Sequence, residues 1–268
     1  MTSYNNFYKS LEVSLRKNKL IKVKKKSGRK SLLDLIKKKY ELIIIGDTNN
    51  SLFKKYFTKN IKKSYDSMAF TSIIDHVNVK NKNAIQHFTK FGPLAFLPIS
   101  KSQTSIVFSV FNKDLIKNKD KVIKLIEHYN NYYKIKKISN FQQFPINLSL
   151  SRNYFHKNIL SFGDALHKIH PLAGQGFNMT LRDARILSKL IKENLDLGLN
   201  LDTVPEKFEN KRKNSNFIFA LGVDFLHEFF KAINKYNIKS IDNIFKFING
   251  NILIKRKIQS FADKGFML

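Results

Sequence analysis

The chain has 268 residues, 43% of them hydrophobic and 24 of them Phe, enough apolar material for one large or two small cores and too much for a globally disordered protein. It contains no cysteine, which excludes disulfides, thiolate metal sites and cysteine nucleophiles and suits a reducing compartment. Its 49 Lys and Arg against 20 Asp and Glu give a net charge of +29, which suggests a nucleic-acid or anionic-membrane partner or, as the favoured reading, compositional drift in a chain crowded with Lys, Asn, Ile and Phe.

In chain order, residues 4–20 place Leu11, Leu15 and Leu20 near helical spacing behind Phe7 and Tyr8. A basic extended stretch, Leu20 to Lys26, turns at Ser27-Gly28. Tyr40 to Ile45 is a short apolar run closed by Gly46-Asp47, which predicts a buried parallel strand. Helix or loop follows to Asn60. Met68–Val79, Ala84–Thr89, Ala95–Ile99 and Thr104–Val110 then read as successive strands, a pattern that predicts a mostly antiparallel sheet. A helix is expected over Lys113–Tyr133, a strand over Phe141–Ser151, and amphipathic helices over Val204–Phe230 and Ile238–Ile248. A β-sheet insertion therefore splits one α/β domain into two sequence segments.

The most informative stretch is Ser161 to Asn178. The apolar run Asn158-Ile159-Leu160 ends at Gly163-Asp164, and Thr180 to Ile191 carries Leu181, Ala184, Leu187, Ser188 and Ile191 on one helical face. Between them lie Pro171, Gly174 and Gly176, where backbone N–H groups can approach a ligand closely. An acid at a strand end ahead of a glycine-bearing helix start is how α/β proteins hold a sugar-phosphate cofactor.

This segment resembles the flavin-dependent aromatic hydroxylases, above all the branch that hydroxylates the ring of ubiquinone precursors. That family carries G-D-A-x-H-x-x-x-P-x-x-G-Q-G-x-N, matched by Gly163, Asp164, Ala165, His167, Pro171, Gly174, Gln175, Gly176 and Asn178. Leu181-Arg182-Asp183-Ala184 continues its helix. Gly92-Pro93-Leu94-Ala95-Phe96-Leu97-Pro98 is similar to its substrate-sheet segment, Ile43 to Ser51 to its second flavin motif, and Phe208 with Arg212 to its C-terminal Y-x-x-x-R helix.

The resemblance implies an α/β fold, an FAD/NAD(P)-binding (Rossmann-like) domain, truncated, interrupted by a mostly antiparallel β-sheet substrate domain and followed by a helical C-terminal tail. Its segments would be 1–64 and 152–198 for the FAD-binding domain, 65–151 for the sheet and 199–268 for the tail. It implies FAD as cofactor, with Asp164 on the ribityl chain and Gly174, Gln175 and Gly176 offering backbone N–H groups to the pyrimidine edge. Pro171 would line the ring face, Phe177 and Asn178 would complete the loop, and Asp47 would stand near the pyrophosphate and a nicotinamide donor. The implied activity is hydroxylation of an aromatic quinone precursor with an isoprenoid tail through a flavin C4a-hydroperoxide, with NAD(P)H as electron donor. No acid–base pair is required by that chemistry, and none is nominated as catalytic.

Three departures stand out. No G-x-G-x-x-G unit precedes Tyr40, Thr48 replaces the usual glycine of the second motif, and Lys54 or Lys55 stands where Arg is common. The chain thus looks like the C-terminal two-thirds of a hydroxylase, with weak FAD binding expected unless a partner chain supplies the missing N-terminal βαβ unit beside Tyr40–Ile45. The alternatives are a catalytically inactive remnant acting as a scaffold in quinone biosynthesis and, as the weaker reading, a basic nucleic-acid-binding protein. Nucleic acid is not the expected partner: the lysines are scattered, densest only at Lys22–Lys26 and Lys37–Lys39, and phosphate readers favour Arg forks in concentrated stripes.

Simpler roles compete for several residues. Asp47 could cap the following helix. His170 is expected as a satisfied surface group or an indirect contact, and the D-x-x-H-x-x-H spacing of Asp164, His167 and His170 is not expected to bind metal. No secretory signal opens the chain and no apolar run reaches about 18 residues. The nearest, Phe217–Phe230, contains Asp224, His227 and Glu228. A cytoplasmic protein is expected, with peripheral attachment to the inner membrane as the second location.

Overall fold

The computed structural model describes residues 4–22, 40–81, 83–170, 175–236, 250–254, 256–257 and 260. The chain divides into two compact units, Met1–Leu32 with Asp66–Pro145, and Leu33–Tyr65 with Ile146–Leu268. Two long strands, β2 (Asn60–His76) and β6 (Ile135–Ser151), contribute to both. An α/β domain interrupted by an antiparallel sheet is the fold that the pattern predicts.

In the first unit, β2 pairs antiparallel with β5 (Gln103–Val110) from Met68↔Val110 to Asp75↔Gln103. Strand β4 (Gly92–Pro98) lies on the other side of β5, and β3 (Ile85–Thr89) pairs with β4. Alternation sends Phe70 and Ile74 of β2, Leu94 and Phe96 of β4, and Ile106 and Phe108 of β5 into one core. The β3–β4 turn requires glycine: Gly92 has φ 133, and a Cβ there would stand 1.8 Å from the Ser109 carbonyl oxygen.

The expected 113–133 helix is two helices, α3 (Lys113–Ile116) and α4 (Lys119–His128). Asn118 breaks it by adopting extended backbone and accepting the Lys121 N–H at 3.0 Å, a cap that outcompetes continuation. Val122 and Ile126 of α4 cover the sheet core. The N-terminal helix α1 (Tyr4–Lys17) stops short of Leu20 because the Asn18 side chain accepts the Leu20 N–H; Phe7, Tyr8, Leu11 and Leu15 are exposed.

In the second unit, β1 (Ile43–Ile45) runs parallel to β8 (Ile159–Ser161), and β7 (Phe155–His156) forms a hairpin with β8, giving the order β1-β8-β7. The hairpin turns through Lys157, which holds φ 54. Helix α2 (Ser51–Tyr56) packs Leu52 and Phe53 against Ile45 and Ile159. Helix α5 (Gln175–Asp196) starts five residues earlier than Thr180, and α6 (Val204–Tyr236) follows it; Met179 of α5 meets Phe219 and Val223 of α6. The predicted turn at Ser27-Gly28 and helix Ile238–Ile248 lie outside the described residues. No described helix is long and apolar enough to cross a membrane.

Candidate cofactor site

Ile43↔Ile159 and Ile45↔Ser161 pair in register, so Gly46-Asp47 and Gly163-Asp164 leave the same carboxyl end of one parallel pair. Ligands of open parallel sheets sit at that end. Gly163 takes φ 61, a left-handed conformation that glycine adopts without steric cost, and turns the chain into a single 3-10 turn, Gly163–Ala165. Asp164 on that turn is exposed and accepts no hydrogen bond from any described residue. Asp47 accepts the Asn49 N–H at 2.8 Å. It is not the helix cap: Asn50 caps α2 by accepting the Leu52 N–H at 2.9 Å, because Asn50 stands immediately before the first helical residue.

After Asp164, β9 (His167–Lys168) pairs with β6 at Ser149↔Lys168 and Leu150↔His167. Pro171 and Gly174 lie outside the described residues. Gln175 and Gly176 form the first turn of α5, and a Cβ at Gly176 would meet the Ile169 side chain at 3.7 Å. Phe177 and Asn178 are exposed on the same turn.

Buried polar atoms without a protein partner gather in these two motifs. Among the described residues they include Ser51 Oγ at the start of α2, Ser161 Oγ at the end of β8, both ring nitrogens of His170, and Gln175 Oε1. Buried polar groups are nearly always paired, and exceptions mark functional positions. A free carboxylate, a helix N-terminus and unpartnered hydroxyl, amide and imidazole groups fit the donors and acceptors of a flavin nucleotide.

Behind this end lies a polar centre that spacing alone did not reveal. Asp183 is fully buried in α5. Its Oδ2 lies 2.8 Å from His167 Nε2, its Oδ1 accepts Arg212 Nε at 2.6 Å, and Asn216 Nδ2 reaches both oxygens at 3.1 Å. Arg212 also donates to Asn216 Oδ1 at 2.7 Å. The signal was present in Leu181-Arg182-Asp183-Ala184 and in Arg212, but nothing in one dimension joins them. Arg182, over the Phe219 ring at 4.5 Å, is lowered from the ordinary Arg value by burial and then by the Arg212 charge.

A second cluster contains His170, His227, Tyr65, Asp224 and Lys63. The His170 and His227 rings lie 4.2 Å apart, and Tyr65 meets them edge-on at 5.5 and 4.6 Å. Tyr65 donates to Asp224 at 2.6 Å, and Lys63 bridges Asp224 at 2.8 Å and Glu228 at 3.0 Å. Burial, helped by His227, pushes the His170 imidazole down to about 3. His227 is also lowered, chiefly by burial. Burial raises Tyr65, with its bond to Asp224 adding to the effect. Burial would raise Asp224, yet the hydrogen bonds from Lys63 and Tyr65 outweigh it and hold the carboxyl below the usual range. The expectation that His170 is a satisfied surface group is therefore corrected: the ring is fully buried and unpaired, because β2 and α6 close over it. Asp164, His167 and His170 do not converge, since the first is exposed, the second is tied to Asp183 and the third packs against His227.

The chain is 24% identical over 243 residues to ubiquinone biosynthesis monooxygenase COQ6, mitochondrial, of Dictyostelium discoideum, covering 71% of this chain and 49% of that protein. It is 27% identical over 152 residues to 3-demethoxyubiquinol 3-hydroxylase of Escherichia coli (strain K12), covering 53% and 38%. It spans about half the length of the curated relatives it matches. Among solved structures, p-nitrophenol 4-monooxygenase PnpA from Pseudomonas putida DLL-E4 shares the fold with a TM-score of 0.66 at 11% identity, covering 85% of this chain and 60% of that one. PqsL, a probable FAD-dependent monooxygenase from Pseudomonas aeruginosa, gives 0.54 at 16% identity, covering 73% and 56%. The squalene epoxidase family matches residues 39–262, and with the two motifs lying at one end of its parallel strand pair, the chain belongs to that family.

Proposed function

We propose that the chain forms part of an FAD-dependent monooxygenase that hydroxylates the aromatic ring of a ubiquinone precursor, with NAD(P)H as electron donor. The observation that carries this reading is the exposed, unpartnered Asp164 carboxylate at the end of β8, beside the buried unpaired groups of Ser161, His170 and Gln175. The names of the related hydroxylases support the substrate class. Bound flavin supplies the activation of dioxygen. The residues of this chain bind and orient it: Asp164 accepts ribityl hydroxyls in charge-assisted bonds, and the start of α5, where Gly174, Gln175 and Gly176 lie in the motif, favours negative charge on the ring. Asp47 with Pro171, Phe177 and Asn178 complete the cradle in this reading.

A partner segment supplying a further strand belongs to the same reading. Ile43 donates to Asn158 and Ile45 accepts from Phe162, so the parallel ladder turns the Ile44 N–H and C=O to the opposite edge. Ile44 is 48% exposed, and that outer edge of β1 meets no described strand. Peripheral contact with an anionic membrane is supported by exposed Phe217, Leu221 and Phe225 at four-residue spacing on α6 in a chain of charge +29.

The test is titration of the purified chain with FAD, alone and with a co-expressed segment bearing G-x-G-x-x-G, followed by NAD(P)H-dependent hydroxylation of a prenylated phenol. Flavin-specific visible absorbance and a hydroxylated product are expected. Absence of flavin binding under both conditions overturns the proposal.

A further inference from the structure

His170 ends the described stretch before the Pro171–Gly174 motif, and its neighbour Ile169 packs beside Gly176 in the first turn of α5. The ring is fully buried, away from bulk solvent. A neutral imidazole offers one N–H donor and one acceptor, and neither has a partner among the described residues. Gln175, at the start of α5, adds an equally unpaired buried oxygen. Elsewhere in the cluster Tyr65 and Lys63 bond Asp224 and Lys63 also bonds Glu228, while His227 Nε2 is a further buried nitrogen without a partner among the described residues. Packing against His227 and Tyr65 fixes the His170 ring plane, so the missing partners do not reflect a swivelling side chain.

We propose that His170 is a positioning residue whose uncharged imidazole, together with the Gln175 side chain, hydrogen-bonds a planar ring ligand that presents adjacent donor and acceptor groups at the start of α5. The inference rests on the hydroxylase reading, which supplies two such rings, the flavin and the phenolic substrate. A neutral donor suits both, because it can bond an oxygen that gains negative charge without first binding a proton. Tyr65 from β2 and His227, Asp224 and Glu228 from α6, with Lys63 bridging the two carboxylates, form the frame that keeps His170 in place. An imidazole held for a ligand is a net cost to the ligand-free fold, which separates this role from simple packing.

The experiment compares the full wild-type chain with His170→Phe and His170→Leu, which delete both nitrogens, and His170→Asn, which keeps a donor and an acceptor. Thermal midpoints without ligand should be equal or higher for at least one apolar variant; a fall of more than about 5 °C in both shows a satisfied packing residue and overturns the proposal. FAD binding, read by flavin fluorescence quenching, and 4-hydroxybenzoate binding, read by calorimetry, are then measured. At least about tenfold weaker binding of one ligand in the apolar variants, partly restored in His170→Asn, supports it and identifies which ring is held. Unchanged affinity for both overturns it while leaving the hydroxylase reading intact. A wild type that binds the phenol but not FAD sinks the flavin reading and leaves the phenol comparison to decide this one; a wild type that binds neither overturns both.

Discussion

His167 Nε2 lies 2.8 Å from Asp183 Oδ2, joining β9 to the middle of α5 at a fully buried carboxylate. Arg212 and Asn216 complete the ring of donors from α6. Asp183 thus acts as a bracket that ties β9, α5 and α6 together. Asp183→Ala leaves the Arg212 charge, with its side chain 11% exposed, without its partner. We expect a loss of about 3–5 kcal/mol in denaturant unfolding, because removing one member of a buried pair strands the other. A loss below about 1 kcal/mol refutes this assignment.

Asp164 should behave in the opposite way. Its carboxylate is exposed and unpartnered, so Asp164→Asn should change unfolding stability by no more than about 0.5 kcal/mol. FAD affinity should fall about tenfold or more, since a charge-assisted acceptor for ribityl hydroxyls becomes a neutral amide. Fluorescence quenching and chemical denaturation of the same two proteins measure both quantities.

The paired imidazoles make stability sensitive to mild acid. His170 titrates near 3 in the folded chain and at an ordinary value when unfolded, so the unfolded chain binds the extra proton between those limits. Stability is therefore complete above about pH 6.5 and declines as pH falls towards 3, by on the order of 4 kcal/mol for this group. The lowered His227 acts in the same direction. Asp224, also lowered, adds its loss only once pH falls below the ordinary carboxylate value. Tyr65 and Lys63, both raised, keep their neutral-pH charge states throughout the histidine window. Unfolding midpoints between pH 7 and 4 should slope less in His170→Phe than in the wild type; equal slopes would remove His170 as the cause.

Two backbone positions give opposite tests of local strain. Gly92→Ala places a Cβ 1.8 Å from Ser109 O at a φ of 133 and should cost about 3 kcal/mol or more, or prevent folding. Lys157→Gly relieves the left-handed turn residue between β7 and β8 and should stabilise by about 1 kcal/mol. Thermal unfolding of the two variants should shift in opposite senses.

Much of the architecture was legible because short-range rules govern it. Short runs separated by polar and Pro/Gly breaks marked β3 to β5, and the apolar run before Gly46 marked β1 as parallel. Errors arose where one polar side chain decided the outcome: Asn118 split a continuous helical pattern, and Asn50 took the capping role open to Asp47. The lysines of Asn60–Ser67 hid the first half of β2, whose Tyr65 and Ser67 point inwards.

The amino-acid order by itself determined the element types, the spacing of the Gly163–Asn178 motif and the family to which it points, since backbone preference and side-chain periodicity act over a few residues. Only the tertiary structure decided that Asp183 is a buried bracket, that Asp164 is exposed and that His170 is enclosed without a partner among the described residues. Those outcomes depend on segments up to 33 residues apart around Asp183, and on β2 and α6 closing over His170 from far greater separation. Burial and pairing are properties of packed neighbours, and a linear pattern carries the identities of those neighbours without their distances.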